Sequence, residues 1–124
     1  MTGLLIFTVA FTLYILTLSP TISVGDSPEL ISSAYTLGIA HPPGYPLFSL
    51  IGKGVAFIPF GDSVAYKVNV LSAFLGGISV LFLYLAIFEA IRLIRESEVL
   101  TSRVLLVDHL SALLGSITFA VSPV

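Results

Sequence analysis

From Val68 to Phe88 the chain runs 21 residues without a charged side chain. A surface helix of a soluble domain carries polar residues along one face. A charge-free run of this length instead matches the about 20 residues that cross the roughly 30 Å hydrocarbon layer of a bilayer. There every backbone polar group must be paired inside the segment, which makes a helix the expected structure. Two further apolar runs flank it. Gly3 to Leu18 lies in a stretch, Met1 to Gly25, with no charge at all. It lacks the basic start and small-residue cleavage site of a secretory signal, so it reads as a retained membrane helix. Val104 to Val124 reads as a third, with Asp108 and His109 near its start, and the chain is expected to break off in or just after it. Composition agrees: 56% of residues are hydrophobic and 10% charged, with a mean hydropathy of +1.09, against roughly 45–50% and about 25% in soluble domains. The expected fold is all-α and polytopic, with membrane helices at about 3–19, 68–91 and 104–124 and a long loop over 20–67 holding short interfacial helices.

The same features exclude several functions. A net charge of −2 with five Lys and Arg residues is not the basic footprint of a nucleic-acid binder, nor a polybasic membrane-surface patch. The absence of cysteine removes disulfides, thiolate chemistry and Cys-based metal sites. Cytoplasmic loops retain Lys and Arg near helix ends. Arg92, Arg95 and Arg103 crowd the short connector between the second and third runs, whereas the long first loop has only Lys53 and Lys67. The expected topology therefore has the N-terminus and the connector inside and the long loop outside.

That loop carries most of the polar chemistry. "GDSPELISSAYTLG" has helix punctuation at both ends. Asp26 or Ser27 can cap the first amides, Pro28 suits the first turn, and Gly38 suits a left-handed stop. Asp26 and Glu29 have capping-box spacing. In "HPPGYP", Pro42, Pro43 and Pro46 fix three φ angles and restrain the residues before them, which makes a stiff elbow with its free joint at Gly44. Leu47 to Phe60 is apolar except for Lys53 and is broken up by Gly52, Gly54 and Pro59, which suggests an interfacial or re-entrant helix. Asp62 or Ser63 is placed to cap the next helix.

Each polar residue admits two roles. Asp26 can be a helix cap, or a carboxylate positioned at the outer leaflet as a general base or metal ligand. Glu29 in the first turn is accounted for by the helix dipole. His41 can be a histidine bonded to backbone, or a group that holds Asp26 or a substrate phosphate. Tyr45 fits an interfacial aromatic belt. Lys53 can snorkel from an interfacial helix or meet a lipid phosphate. Asp108 and His109, one turn from a helix end, read as a solvated terminus.

Taken in order, "GDSPEL", "AHPPGYPLFSLIGK", "IPFGD" and "YKVNVLSAFLGG" resemble a family of multispanning membrane proteins, long labelled a domain of unknown function. It includes the eukaryotic protein O-mannosyltransferase acting on plexin-type receptor domains. The resemblance covers Val24 to about Gly77 and extends to the GT-C glycosyltransferases. It implies that residues 1–124 are an N-terminal portion of a membrane glycosyltransferase domain, in the plasma membrane or endoplasmic reticulum, with its active face extracytoplasmic. The implied donor is a polyprenyl- or dolichyl-phosphate sugar and the implied acceptor a protein hydroxyl, with transfer by inverting displacement. Asp26 stands at the family's catalytic carboxylate, with Glu29 the second acid. His41, Tyr45 and Lys53 become substrate-binding candidates, and no metal ligand set is implied. The competing class is a non-catalytic membrane module, a transporter fragment or lipid-binding scaffold, although transporter sites favour broken helices near the midplane.

Overall fold

The computed structural model describes residues 2–94 and 102–122. Five helices and no strand are found among the described residues: α1 (Thr2–Leu16), α2 (Ser27–Thr36), α3 (Pro46–Phe57), α4 (Val64–Ile94) and α5 (Ser102–Ala120). The all-α expectation holds, and α2 and α3 are the short helices expected within the first loop. Arg95, Glu96 and Glu98 of the connector lie outside the described residues.

Helix lengths differ from the sequence reading in an informative way. α4 has 31 residues and is the one helix among those described that is long and apolar enough to cross a membrane. At 1.5 Å per residue it is roughly 46 Å long, more than a hydrocarbon layer requires. It begins at Val64 rather than 68 because Ser63 caps it, its Oγ accepting from the Tyr66 amide at 3.1 Å. α1 stops at Leu16 with 15 residues, about 22 Å, short of a full span. Pro20 disfavours helical geometry at the residue before it. Asn69 Nδ2 then holds the departing segment by donating to the carbonyls of Ser19 and Thr21, both at 2.9 Å.

The chain divides into two compact units, Met1–Tyr14 with Leu75–Val124, and Ile15–Phe74. In the first, Ile6, Ala10, Val80, Tyr84 and Ala112 form the buried core. Gly77 lets α1 come close, since a Cβ there would meet Phe7 and Phe11 at 3.2–3.3 Å. The expected solvated terminus at Asp108 and His109 is not found. Asp108 is 3% exposed. His109 is bonded through Nδ1 to the buried Tyr84 hydroxyl at 2.6 Å and stacks on Phe88 with centroids 4.4 Å apart.

The second unit carries the loop. Ile31 and Ala34 of α2 and Val68 of α4 are buried together, with Phe48, Val64 and Ala65 packed around them. Gly52 does not break α3. It is buried, and a Cβ added to it would lie 2.7 Å from Ala34 Cβ, so glycine is what lets α2 and α3 approach. Beside that contact the hydroxyls of Ser49 and Ser33 pair at 3.3 Å in the interior, which satisfies polar atoms that would otherwise cost free energy to bury. α2 ends one residue before expectation. Leu37, not Gly38, takes the left-handed conformation (φ 56°, ψ 34°), and its amide bonds the Ser33 carbonyl.

Candidate active site

The start of α2 is not capped as its sequence suggests. Gly25 turns the chain at φ 77°, and the Asp26 carbonyl accepts the Leu30 amide at 3.0 Å, so Asp26 opens the helix with its backbone. Its side chain makes no capping hydrogen bond. Ser27 Oγ is engaged upstream, by the Ser23 amide at 3.3 Å. The Asp26 carboxylate, 69% exposed, instead faces His41, with Oδ2 3.7 Å from Nε2.

Glu29 also leaves the helix end and reaches the elbow 12 residues on. Its Oε1 accepts the His41 amide at 2.6 Å and its Oε2 pairs with His41 Nδ1 at 2.9 Å. Followed by two prolines, the His41 segment cannot enter a helix that would pair its amide, and Glu29 supplies the missing acceptor. The two bonds from His41 hold the Glu29 carboxyl below its usual range. The bond to Glu29, with the added charges of Glu29 and Asp26, raises the His41 pKa against the opposing effect of partial burial.

The elbow is fixed on its other side by Tyr45. The Gly44 amide bonds the His41 carbonyl at 2.8 Å, and the Pro42-Pro43 peptide is cis. The joint expected at Gly44 (φ 87°) extends to Tyr45, which is also left-handed at φ 45°, ψ 49°. A non-glycine residue there is uncommon and holds strain that the surroundings must overcome. Tyr45 stands at the N-cap of α3, and its ring meets the His41 ring edge-on, with centroids 5.7 Å apart.

The structure thus brings Asp26, Glu29, His41 and Tyr45 together and leaves Lys53 out. Lys53 Nζ donates to the Tyr35 carbonyl in the last turn of α2 and lies over the Tyr35 and Phe57 rings at 4.8 and 5.2 Å. It closes the C-terminal end of α2, opposite the acids. Lys67 does the same for α3, bonding the Ala56 carbonyl at 3.0 Å. No group of three His, Cys, Asp or Glu side chains with metal-holding geometry occurs among the described residues. The grip of Glu29 on His41 is what sequence reasoning missed. A pair 12 residues apart has no helical or strand period, and the one available signal was an amide before two prolines with no helix to bond it. Chemically, the cluster offers an accessible carboxylate to accept a proton beside an imidazole whose orientation is set from two sides.

The stretch that builds this cluster is also where the chain is similar to known proteins. Residues 26–124 match the model of the Protein O-mannosyl-transferase TMEM260 N-terminal domain. The chain belongs to the TMEM260 N-terminal domain family. Among its relatives, the Mus musculus protein named Protein O-mannosyl-transferase TMEM260 is 43% identical over 85 residues, 68% of this chain and 12% of the relative. The Dictyostelium discoideum protein of the same name is 41% identical over 86 residues, 68% of this chain and 10% of the relative. The chain thus spans about a tenth of the length of these TMEM260 proteins. No solved structure matches. Asp26, Glu29, His41, Tyr45 and Lys53 all fall within the part that the TMEM260 family model covers.

Proposed function

We propose that this chain contributes the catalytic loop of a membrane glycosyltransferase that moves a hexose, mannose by the names of its relatives, from a polyprenyl-phosphate donor to a protein Ser or Thr hydroxyl. The observation that carries the reading is the state of Asp26. Its carboxylate stands at the head of the loop, makes no capping bond, and is open to solvent. A carboxylate so placed can accept the proton of an incoming hydroxyl, a poor nucleophile unless a base takes that proton as attack proceeds. The acceptor oxygen bonds to the anomeric carbon as the bond to the phosphate oxygen breaks. The electron pair leaves with the polyprenyl phosphate, the hydroxyl proton passes to Asp26, and configuration inverts.

An apolar donor tail requires a site at a membrane edge. The long apolar α4, whose first turns pack against α2, supports placing the loop there. The Lys and Arg distribution supports placing this loop outside, in what the proposal takes to be a multi-pass protein of the plasma membrane or endoplasmic reticulum. Asp26→Asn tests the reading, with transfer rate in the full-length protein as the measurement. Asparagine preserves size and one acceptor oxygen but cannot take a proton, and loss of a general base typically costs ~10²–10⁴-fold. A variant that folds and keeps a rate within a few-fold of wild type assigns the base elsewhere.

A further inference from the structure

Glu29 and His41 spend more interactions on each other than a surface pair needs. Exposed ion pairs are worth little because long side chains must be ordered to make them. Here, however, the elbow has already been ordered by three prolines, a backbone turn and the Tyr45 ring. Glu29 adds two bonds that fix both the position of His41, through its amide, and the rotation of its ring, through Nδ1. With Nδ1 committed to Glu29, Nε2 is the ring atom turned to Asp26 Oδ2. Histidine commonly serves this way, one ring nitrogen held so that the other is aimed.

We infer that Glu29 and His41 are a positioning pair for Asp26, in which Glu29 aims the His41 ring so that its Nε2 edge holds Oδ2 by charge, as an ion pair at 3.7 Å, and leaves the second carboxylate oxygen for the acceptor hydroxyl. The inference rests on the proposed role of Asp26 and gives Glu29, read from sequence as dipole support, a different task. It also withdraws the phosphate-binding role for His41, since the ring lies between two carboxylates that would repel an anion. Among the described residues the ion pairs of His41 are those with Asp26 and Glu29. Tyr45 of the same elbow faces the ring, and Lys53 of α3 is engaged at the Tyr35 carbonyl.

The anchor works while His41 is protonated. His41 takes its raised pKa from Glu29 first and from the Asp26 charge last, so activity should fall as pH rises through that value. Two measurements test this. Ring NMR titration of the isotopically labelled full-length protein in detergent micelles, with the His41 signal assigned by its loss in His41→Gln, follows His41 directly. Glu29→Gln should lower its midpoint strongly and Asp26→Asn slightly. In the full-length protein, Glu29→Gln should move the alkaline limb of the rate profile to lower pH. Between the shifted limb and the wild-type one the rate should fall roughly tenfold, less than the ~10²–10⁴-fold for the base itself, with kcat affected more than KM. Glu29→Asp, one methylene shorter, should restore part of the loss. A His41 midpoint indifferent to both acid substitutions, or a Glu29→Gln loss uniform in pH, overturns the positioning role even if Asp26→Asn is inactive. An active Asp26→Asn instead overturns the reading on which it rests.

Discussion

Gly52→Ala isolates the contact that holds α2 against α3 and hence the acids against the elbow. The new methyl would lie 2.7 Å from Ala34 Cβ, with Ala34 Cα and Leu71 Cδ2 at 3.9 Å. Carbon atoms in contact prefer about 3.5–4.0 Å, so the helices must part by roughly 1 Å. Ala34 is fully buried and its Cβ is attached directly to the backbone, leaving no rotamer to yield. Overpacking of this kind costs about 1–3 kcal/mol, against which alanine gains about 0.8–1.0 kcal/mol of helix propensity over glycine. Gly54, two residues on, has nothing within 4 Å of an added Cβ, so Gly54→Ala shows the propensity gain alone. The pair should therefore differ by about 1–3 kcal/mol, with Gly54→Ala more stable than wild type and Gly52→Ala less. Thermal unfolding in detergent gives the ranking. Adding Ala34→Gly to Gly52→Ala should recover much of the loss, as coupled neighbours do. If Gly52→Ala melts with Gly54→Ala, the close approach of the two helices is wrong.

Two other perturbations probe local geometry. Leu37→Gly removes an exposed side chain from a left-handed residue and should stabilise by about 1 kcal/mol, since that conformation costs a non-glycine residue about 1–2 kcal/mol; an unchanged or lower melting point counts against the αL stop. The Glu29–His41 link has a defined pH window. Stability from His41, whose pKa is raised, is fully present below its ordinary value of 6.5 and is lost as pH rises through the raised one. Stability from Glu29, whose pKa is lowered, is present above its ordinary value of 4.5 and is lost as pH falls through the lowered one. Amide exchange of His41, corrected for intrinsic rate, should show greatest protection between those limits, and protection flat in pH would refute the pairing.

Much of the fold was legible in single residues. Pro28 marked the first turn of α2, the Asp62-Ser63 pair the cap of α4, which Ser63 supplies, and the run from Val68 the apolar body of α4. Gly52 was misread because a missing side chain means either a break or a close approach, and only the neighbour, Ala34, decides. The Asp26 cap was misread for a related reason. Spacing shows that Asp26 and Glu29 can serve the helix end, but not that His41, brought in by the elbow, competes for both. Leu37 shows propensity overridden at a boundary, with glycine available at the next position. For α1, hydropathy continued past Leu16 while Pro20 and the tether from Asn69 ended the helix earlier.

The two lysines of the loop have a consequence for how a substrate can arrive. Both ammonium groups are bonded to carbonyls in the last turns of α2 and α3, so the loop's cations are fixed at helix ends while Asp26 and Glu29 stand at a helix start. Among the described residues, the charged side chains around Asp26 are therefore Glu29 and the His41 ring, beside the positive N-terminal end of α2. In the proposed displacement this polarity selects a direction. Under the reading proposed above, a phosphorylated donor that led with its phosphate would meet the two carboxylates, whereas one that presented the sugar would turn its leaving group away from them. That is the in-line arrangement in which the attacking oxygen and the departing phosphate lie on opposite sides of the anomeric carbon.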